Sequence, residues 1–165
     1  MKNLVRVAII AIALSISFAA NARQGQAAAG AGLFIGGSSH AYFGPSVKFQ
    51  YNITNPIRLG GSFAWSFPRS SVNMWGANVN AHYLFPMHRT PFTLYPLVGL
   101  GWVGYRTNAD LDPARWNTNR FGLNVGGGID LSLTHRLVLN FEVRHKFIAN
   151  LENPYFIGAG VAFIF

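Results

Sequence analysis

The feature that most constrains this chain is a period-two alternation of bulky apolar residues with small or polar ones, repeated from about Gly30 to the last residue. In Ile57–Phe67, the residues Ile57, Leu59, Phe63, Trp65 and Phe67 alternate with Arg58, Gly60, Ser62, Ala64 and Ser66. Period two puts these sets on opposite faces of a strand. The final stretch, Tyr155–Phe165, sharpens the pattern. Tyr155, Ile157, Ala159, Val161, Phe163 and Phe165 share one face; Gly158, Gly160 and Ala162 share the other. An aromatic, uncharged strand left as a free edge invites aggregation. Bulky-out and small-in suits a strand with lipid on one side and a crowded barrel lumen on the other. The rest of the chain must then supply the strands that close the ring.

Composition agrees. Half the residues are hydrophobic, yet mean hydropathy is only +0.23. Beyond the N-terminus no apolar run approaches the ~18 residues that a spanning helix needs. Apolar content without apolar runs means strands. At 165 residues the chain suits one domain. Its charged residues (11%) are few and its aromatics (15%) many for a soluble domain. With no cysteine, disulfides, thiolate nucleophiles and cysteine metal sites are excluded. The net charge is +8. Its arginines are scattered singly, with no basic helix or run, which argues against nucleic acid as a partner. Anionic lipid headgroups are the more natural counter-charge.

Residues 1–22 read as a cleavable signal peptide. Lys2 and Arg6 form the positive start, Val7–Phe18 the apolar stretch, and Ala20-Asn21-Ala22 the cleavage site. Losing Lys2 and Arg6 leaves a mature charge of about +6. Residues 23–29, rich in Gly, Ala and Gln, read as a mobile lead-in to a single domain over 30–165.

Eight strands are expected: Gly30–Ser38, Phe43–Tyr51, Ile57–Phe67, Asn73–Phe85, Phe92–Tyr105, Phe121–Leu133, Leu137–Phe147 and Tyr155–Phe165. Pro96 marks a candidate bulge in the fifth. The connections after strands two, four and six are short, and the longest, Arg106–Arg120, is polar and aperiodic. The expected fold is an all-β, eight-stranded antiparallel up-and-down transmembrane β-barrel, with both termini and the short turns on the periplasmic side. That topology places Phe43, Trp65, Phe67, Trp75, Trp102, Phe121 and Tyr155 near the outer strand ends. Tyr51, Tyr83, Phe85, Phe92, Phe163 and Phe165 fall near the inner ends. Two aromatic girdles result, as two membrane interfaces require.

The signal peptide, the strand Tyr95-Pro96-Leu97-Val98-Gly99-Leu100-Gly101 and the end Gly160-Val161-Ala162-Phe163-Ile164-Phe165 together resemble the small eight-stranded outer-membrane barrels of Gram-negative bacteria, the OmpA/OmpX-like porin family. The resemblance implies localisation in the outer membrane. It implies that Gly160, Phe163 and Phe165 form the signal read by the outer-membrane assembly machinery. Periplasmic chaperones, outer-membrane lipids and lipopolysaccharide are the other partners it implies, with the barrel a monomer. The expected role is structural or interactive: membrane integrity, lipopolysaccharide contact, or binding through outer loops. The alternative is a narrow channel for ions or small solutes; a lipid A-modifying hydrolase ranks third.

Lys48, Arg58, Asp130, Glu142 and Arg144 share the inner face. A lumen just wide enough for side chains requires such charges to pair or be wetted. A structural network is the favoured reading. A gate, with Glu142 switching between Arg144 and Lys48, is the sharper one. Arg106, Asp110, Asp112, Arg115, Trp116 and Arg120 are the outer-loop contact candidates. Lipid A deacylases, which are similar small barrels, carry a His-x-Ser pair near the position of His145, but here the third residue is Phe147. Without a hydroxyl or thiol beside the histidine, acyl transfer has no attacking group. No enzyme activity, cofactor or metal is expected; the five histidines are dispersed without ligand spacing.

Overall fold

In the computed structural model, residues 24–38, 40–67, 72–107, 118–148 and 153–165 are described. The expected signal peptide, residues 1–22, lies outside them. The strands are β1 (Ala27–Gly37), β2 (Tyr42–Asn52), β3 (Ile57–Trp65), β4 (Val72–Tyr83), β5 (Phe85–Pro86), β6 (Phe92–Thr107), β7 (Thr118–Ser132), β8 (Leu137–Phe147) and β9 (Tyr155–Ile164). Each pairs antiparallel with its neighbour, β1 pairs with β9, and β4 pairs with β6, so the sheet closes. β5 pairs with β6 in the same register as β4 and prolongs it, giving eight staves from nine segments.

The register fixes the shape. From Ala27, successive partners are Tyr51, Leu59, Ala81, Val98, Val125, His145 and Tyr155, and the last pairs with Gly37. The circuit returns to β1 ten residues from its start. That offset is the shear that tilts the strands and sets the barrel's width for this number of staves. Hairpin turns at Ile53–Pro56, Met87–Pro91 and Leu133–Arg136 lie at the end bearing both termini, here the inner end.

The expected alternation holds. Val47, Phe49, Leu59, Phe63, Val98, Leu100, Phe141 and Val143 are exposed outward, while the residues between them turn inward. The girdles are present as ring contacts. Trp75 packs against Phe63 (6.3 Å) and Trp102 (6.5 Å) toward the outer end. Tyr83–Phe85 (4.8 Å) and Phe163–Phe165 (5.6 Å) meet at the inner end.

Four expectations are corrected. β1 begins at Ala27, not Gly30, so part of the expected lead-in is strand. Its small residues carry no amphipathic contrast, and pairing to Tyr51 and Ile164 sets its start. Pro96 makes no bulge: Tyr95, Pro96 and Leu97 pair with Gly128, Gly127 and Gly126 without a slip. Its missing N–H acts instead on the other side, where the β4–β6 ladder stops at His82–Leu97 and resumes at Phe85–Leu94. The Leu84 N–H faces the other neighbour, continuing the β3–β4 register to Pro56 O at 2.7 Å. β3 ends at Trp65, though Ser66 N–H still donates to Met74 O (2.7 Å) and Phe67 N–H to Phe43 O (2.8 Å). Lastly, β6 and β7 run into the expected long loop, so Arg106 and Arg120 stand on strand ends.

Candidate functional site

The inward residues of eight staves converge in the lumen, where a buried polar group needs a partner. Arg58 on β3 pairs with Asp130 on β7, and its Nε donates to His82 Nδ1 at 3.0 Å. Asn140 on β8 bonds Asp130 (2.6 Å), Tyr95 Oη and Lys48 Nζ. Lys48 reaches Glu142 Oε2 at 3.0 Å, and Arg144 Nε reaches Glu142 Oε1 at 2.9 Å. Tyr95 Oη also donates to Glu142 Oε2 at 3.2 Å. All five sequence-predicted lumen charges thus join one network. Glu142 holds Lys48 and Arg144 at once, one on each oxygen.

Several members escaped the sequence reading. Tyr95 stacks on His82 (4.7 Å, 13° between planes) and lies under the Arg58 guanidinium at 4.6 Å. Farther out, Asn124 Nδ2 donates to Asn78 (3.1 Å) and Asn80 (2.9 Å). Lys146 is only 2% exposed. Its ammonium meets Trp102 O at 3.5 Å and the face of Phe156 at 5.5 Å, and among the described residues no carboxylate is a hydrogen-bond or ion-pair partner. Glycines make the room. A Cβ on Gly126 would meet Arg144 Cα at 2.9 Å, and one on Gly101 would meet Lys146 Nζ at 2.6 Å.

Two apolar layers flank the network. Phe34, Ala64, Met74, Val103, Ile148 and Phe156 form a buried cluster across the outer end, with Tyr42 and Tyr105 packed against it. Leu84, Tyr95 and Leu97 form a smaller one toward the inner end. A polar cavity of about 100 Å³ opens at the inner mouth between Gln50, Asn52 and Ser132, with Arg58 and Asp130 in its lining.

Outside, Arg106 and Arg120 stand exposed at the outer rim on β6 and β7. Asp110, Asp112, Arg115 and Trp116 lie outside the described residues. Gly160 and Phe163 lie in the closing strand and Phe165 directly follows it; Phe163 and Phe165 are exposed and Gly160 abuts β1. His145 faces outward, its ring 4.4 Å from Phe147 and 4.2 Å from Tyr155, and its buried Nδ1 has no hydrogen-bond partner. Among the described residues no three His, Cys, Asp or Glu side chains gather as metal ligands would.

Solved structures share this fold. Neisserial surface protein A aligns at 18% identity over 85% of this chain and 96% of its own, with a TM-score of 0.67. The N-terminal β-barrel domain of Pseudomonas aeruginosa OprF aligns at 17% identity over 86% and 98%, with a TM-score of 0.68. Ail, the attachment invasion locus protein of Yersinia pestis, aligns at 16% identity over 86% and 99%, with a TM-score of 0.61. Comparison with curated proteins finds no match. Residues 7–165 match the family described as the outer membrane protein beta-barrel domain. The closed ring, the lipid-ready outer face and that match agree: the chain belongs to the outer membrane protein beta-barrel family and resides in the bacterial outer membrane.

Proposed function

We propose that this protein is a closed barrel with a structural and surface-interaction role. It maintains the membrane, contacts lipopolysaccharide, and binds partners through its outer rim and loops. One observation carries the reading. The lumen is blocked twice, by the ion network at mid-height and by the apolar cluster of Phe34, Met74, Val103 and Phe156 at its outer end. An ion crossing that cluster would shed its hydration with no polar group to replace it.

Activity then lies at the outer surface. The exposed Arg106 and Arg120 and the chain's basic balance favour anionic saccharide. A barrel of this fold, Ail, has been solved with the heparin analogue sucrose octasulfate (17% identity, TM-score 0.64). The terminal strand with Gly160, Phe163 and Phe165 serves the assembly machinery and its chaperones. Catalysis is not part of the reading, because His145 packs against rings rather than a nucleophile.

Planar-bilayer recording tests this. The wild type passes no current steps, whereas Phe34→Ala/Phe156→Ala, which removes both rings of a 6.4 Å contact in the outer plug, combined with Glu142→Ala, which breaks the ion network, produces them. Wild-type steps that change in Glu142→Ala would establish the channel instead.

A further inference from the structure

The inner mouth holds a polar site that the outer-surface role does not use. Its cavity of about 100 Å³ is ringed by residues that run into the three hairpin turns, Asn52, Thr93, Ser132 and Val138 among them. Gln50 stands in its wall, only 7% exposed, and the Gln50 amide makes no side-chain hydrogen bond with the described residues. Arg58 lines it too. Its Nε is spent on His82 and its Nη1 on Asp130, while Nη2 is buried without an acceptor. Asp130 has both oxygens engaged, by Arg58 and Asn140. Buried donors left unmatched cost free energy that an incoming acceptor would recover. The ion network behind them sets three cations against two carboxylates, so the acceptor that suits it is an anion.

The rim around that mouth is basic and carries no acid. The turns Ile53–Pro56, Met87–Pro91 and Leu133–Arg136 contribute His88, Arg89, His135 and Arg136, all exposed. Asp130 and Glu142 are buried in the network, and Asp110, Asp112 and Glu152 fall in the stretches that join outer strand ends. Arg89 is unusual in its backbone. Thr90 N–H donates to Met87 O at 3.2 Å, which makes Arg89 the third residue of a β-turn, and its φ is 62°. Gly or Asn takes that position at little cost; an arginine there is strained. What arginine adds over glycine is its side chain, and strain of this kind gathers at functional sites. Ser132 N–H donates to Pro91 O at 2.9 Å and ties this turn to the cavity wall.

We propose that the inner mouth docks the carboxyl-terminal end of an acidic peptide of the periplasm, with the terminal carboxylate in the cavity at Gln50 and Arg58 and upstream acidic side chains on Arg89 and Arg136. Size selects this ligand. The cavity has room for about three waters at ~30 Å³ each, so only a small end group enters it. A basic rim spread over two turns needs further charges, carried on an extended chain. A peptide end supplies both, and its amides can meet the Thr93 and Ser132 hydroxyls. Phospholipid headgroups reach the rim from the side, but the strands wall them off from the cavity.

Fluorescence anisotropy of the refolded protein in phosphatidylcholine nanodiscs tests the site. The probe is a labelled peptide of two glutamates followed by three alanines, offered with its carboxyl end free or amidated. The wild type is expected to bind the free-ended peptide about fivefold or more tightly than the amidated one. Gln50→Leu, which leaves every ion pair in place, abolishes that preference. Arg89→Gly weakens binding of both peptides about threefold or more, yet its folded gel band survives heating at least as well as the wild type's, because glycine relieves the turn. Equal binding of the two peptides by the wild type, a preference that persists in Gln50→Leu, or unchanged affinity in Arg89→Gly overturns the proposal. So does an Arg89→Gly variant that loses affinity for phosphatidylglycerol vesicles alone, which would assign the rim to lipid headgroups.

Discussion

Glu142 and Lys146 sit two same-face positions apart on one strand and predict opposite responses to neutralisation. The Glu142 carboxylate compensates two cations and accepts from Tyr95. Glu142→Gln leaves Lys48 and Arg144 buried without a counter-charge, and removing one partner of a buried pair costs about 3–5 kcal/mol. Lys146 is buried with a carbonyl and a ring for company, so Lys146→Met removes a charge that no described carboxylate compensates, from a site of similar volume. Its stability is expected to rise by about 1 kcal/mol. Urea titration of the barrel refolded into lipid vesicles measures both; a loss in Lys146→Met as large as that in Glu142→Gln would show the ammonium to be compensated. Parity along the strands was enough to place Lys48, Arg58, Asp130, Glu142 and Arg144 inside. Lys146 carried the same signal, two positions beyond Arg144. Tyr95 did not, because Leu94, Tyr95, Leu97 and Val98 are bulky on both faces and hide the alternation.

At the scale of elements, closure depends on β1, the strand least legible in sequence. Ala27 to Gly32 are small on both faces, so they show no pattern, yet they allow β1 and β9 to approach. A Cβ on Gly32 would stand 2.6 Å from Gly160 Cα, which is backbone and cannot swing away. Gly32→Val is therefore expected to prevent closure, seen as loss of the heat-sensitive, fast-migrating band on a gel without boiling. Gly61 is the control: its added Cβ meets nothing within 4 Å, so Gly61→Val keeps the folded band. Equal behaviour of the two variants would mean that the seam tolerates width. The same logic explains β6. Pro96 reads as a defect in the sequence, but opposite Gly127 it breaks the ladder only toward β4, and the register survives on both sides.

The whole molecule was legible because a membrane imposes two separable rules, outward bulk on alternate residues and aromatic rings at two levels. Neither rule constrains what the outer surface binds, and fold alone does not supply it. The loop between β6 and β7 is where that distinction can be tested. These strands pair from Phe92–Leu131 to Tyr105–Thr118 in one unbroken register. Closing a flexible loop depends only weakly on its length, about 0.6 kcal/mol per doubling. Replacing residues 108–117 with a short Gly/Ser connection should therefore leave the unfolding free energy within about 1 kcal/mol and the lumen closed. It removes Asp110, Asp112, Arg115 and Trp116 while keeping Arg106 and Arg120. Binding to immobilised lipopolysaccharide and to a sulfated saccharide, compared between the two proteins, then separates rim from loop. A fall for the shortened barrel assigns recognition to the loop, and full retention assigns it to the rim arginines. A large loss of stability would instead make the segment part of the barrel's frame, which the unbroken β6–β7 register argues against.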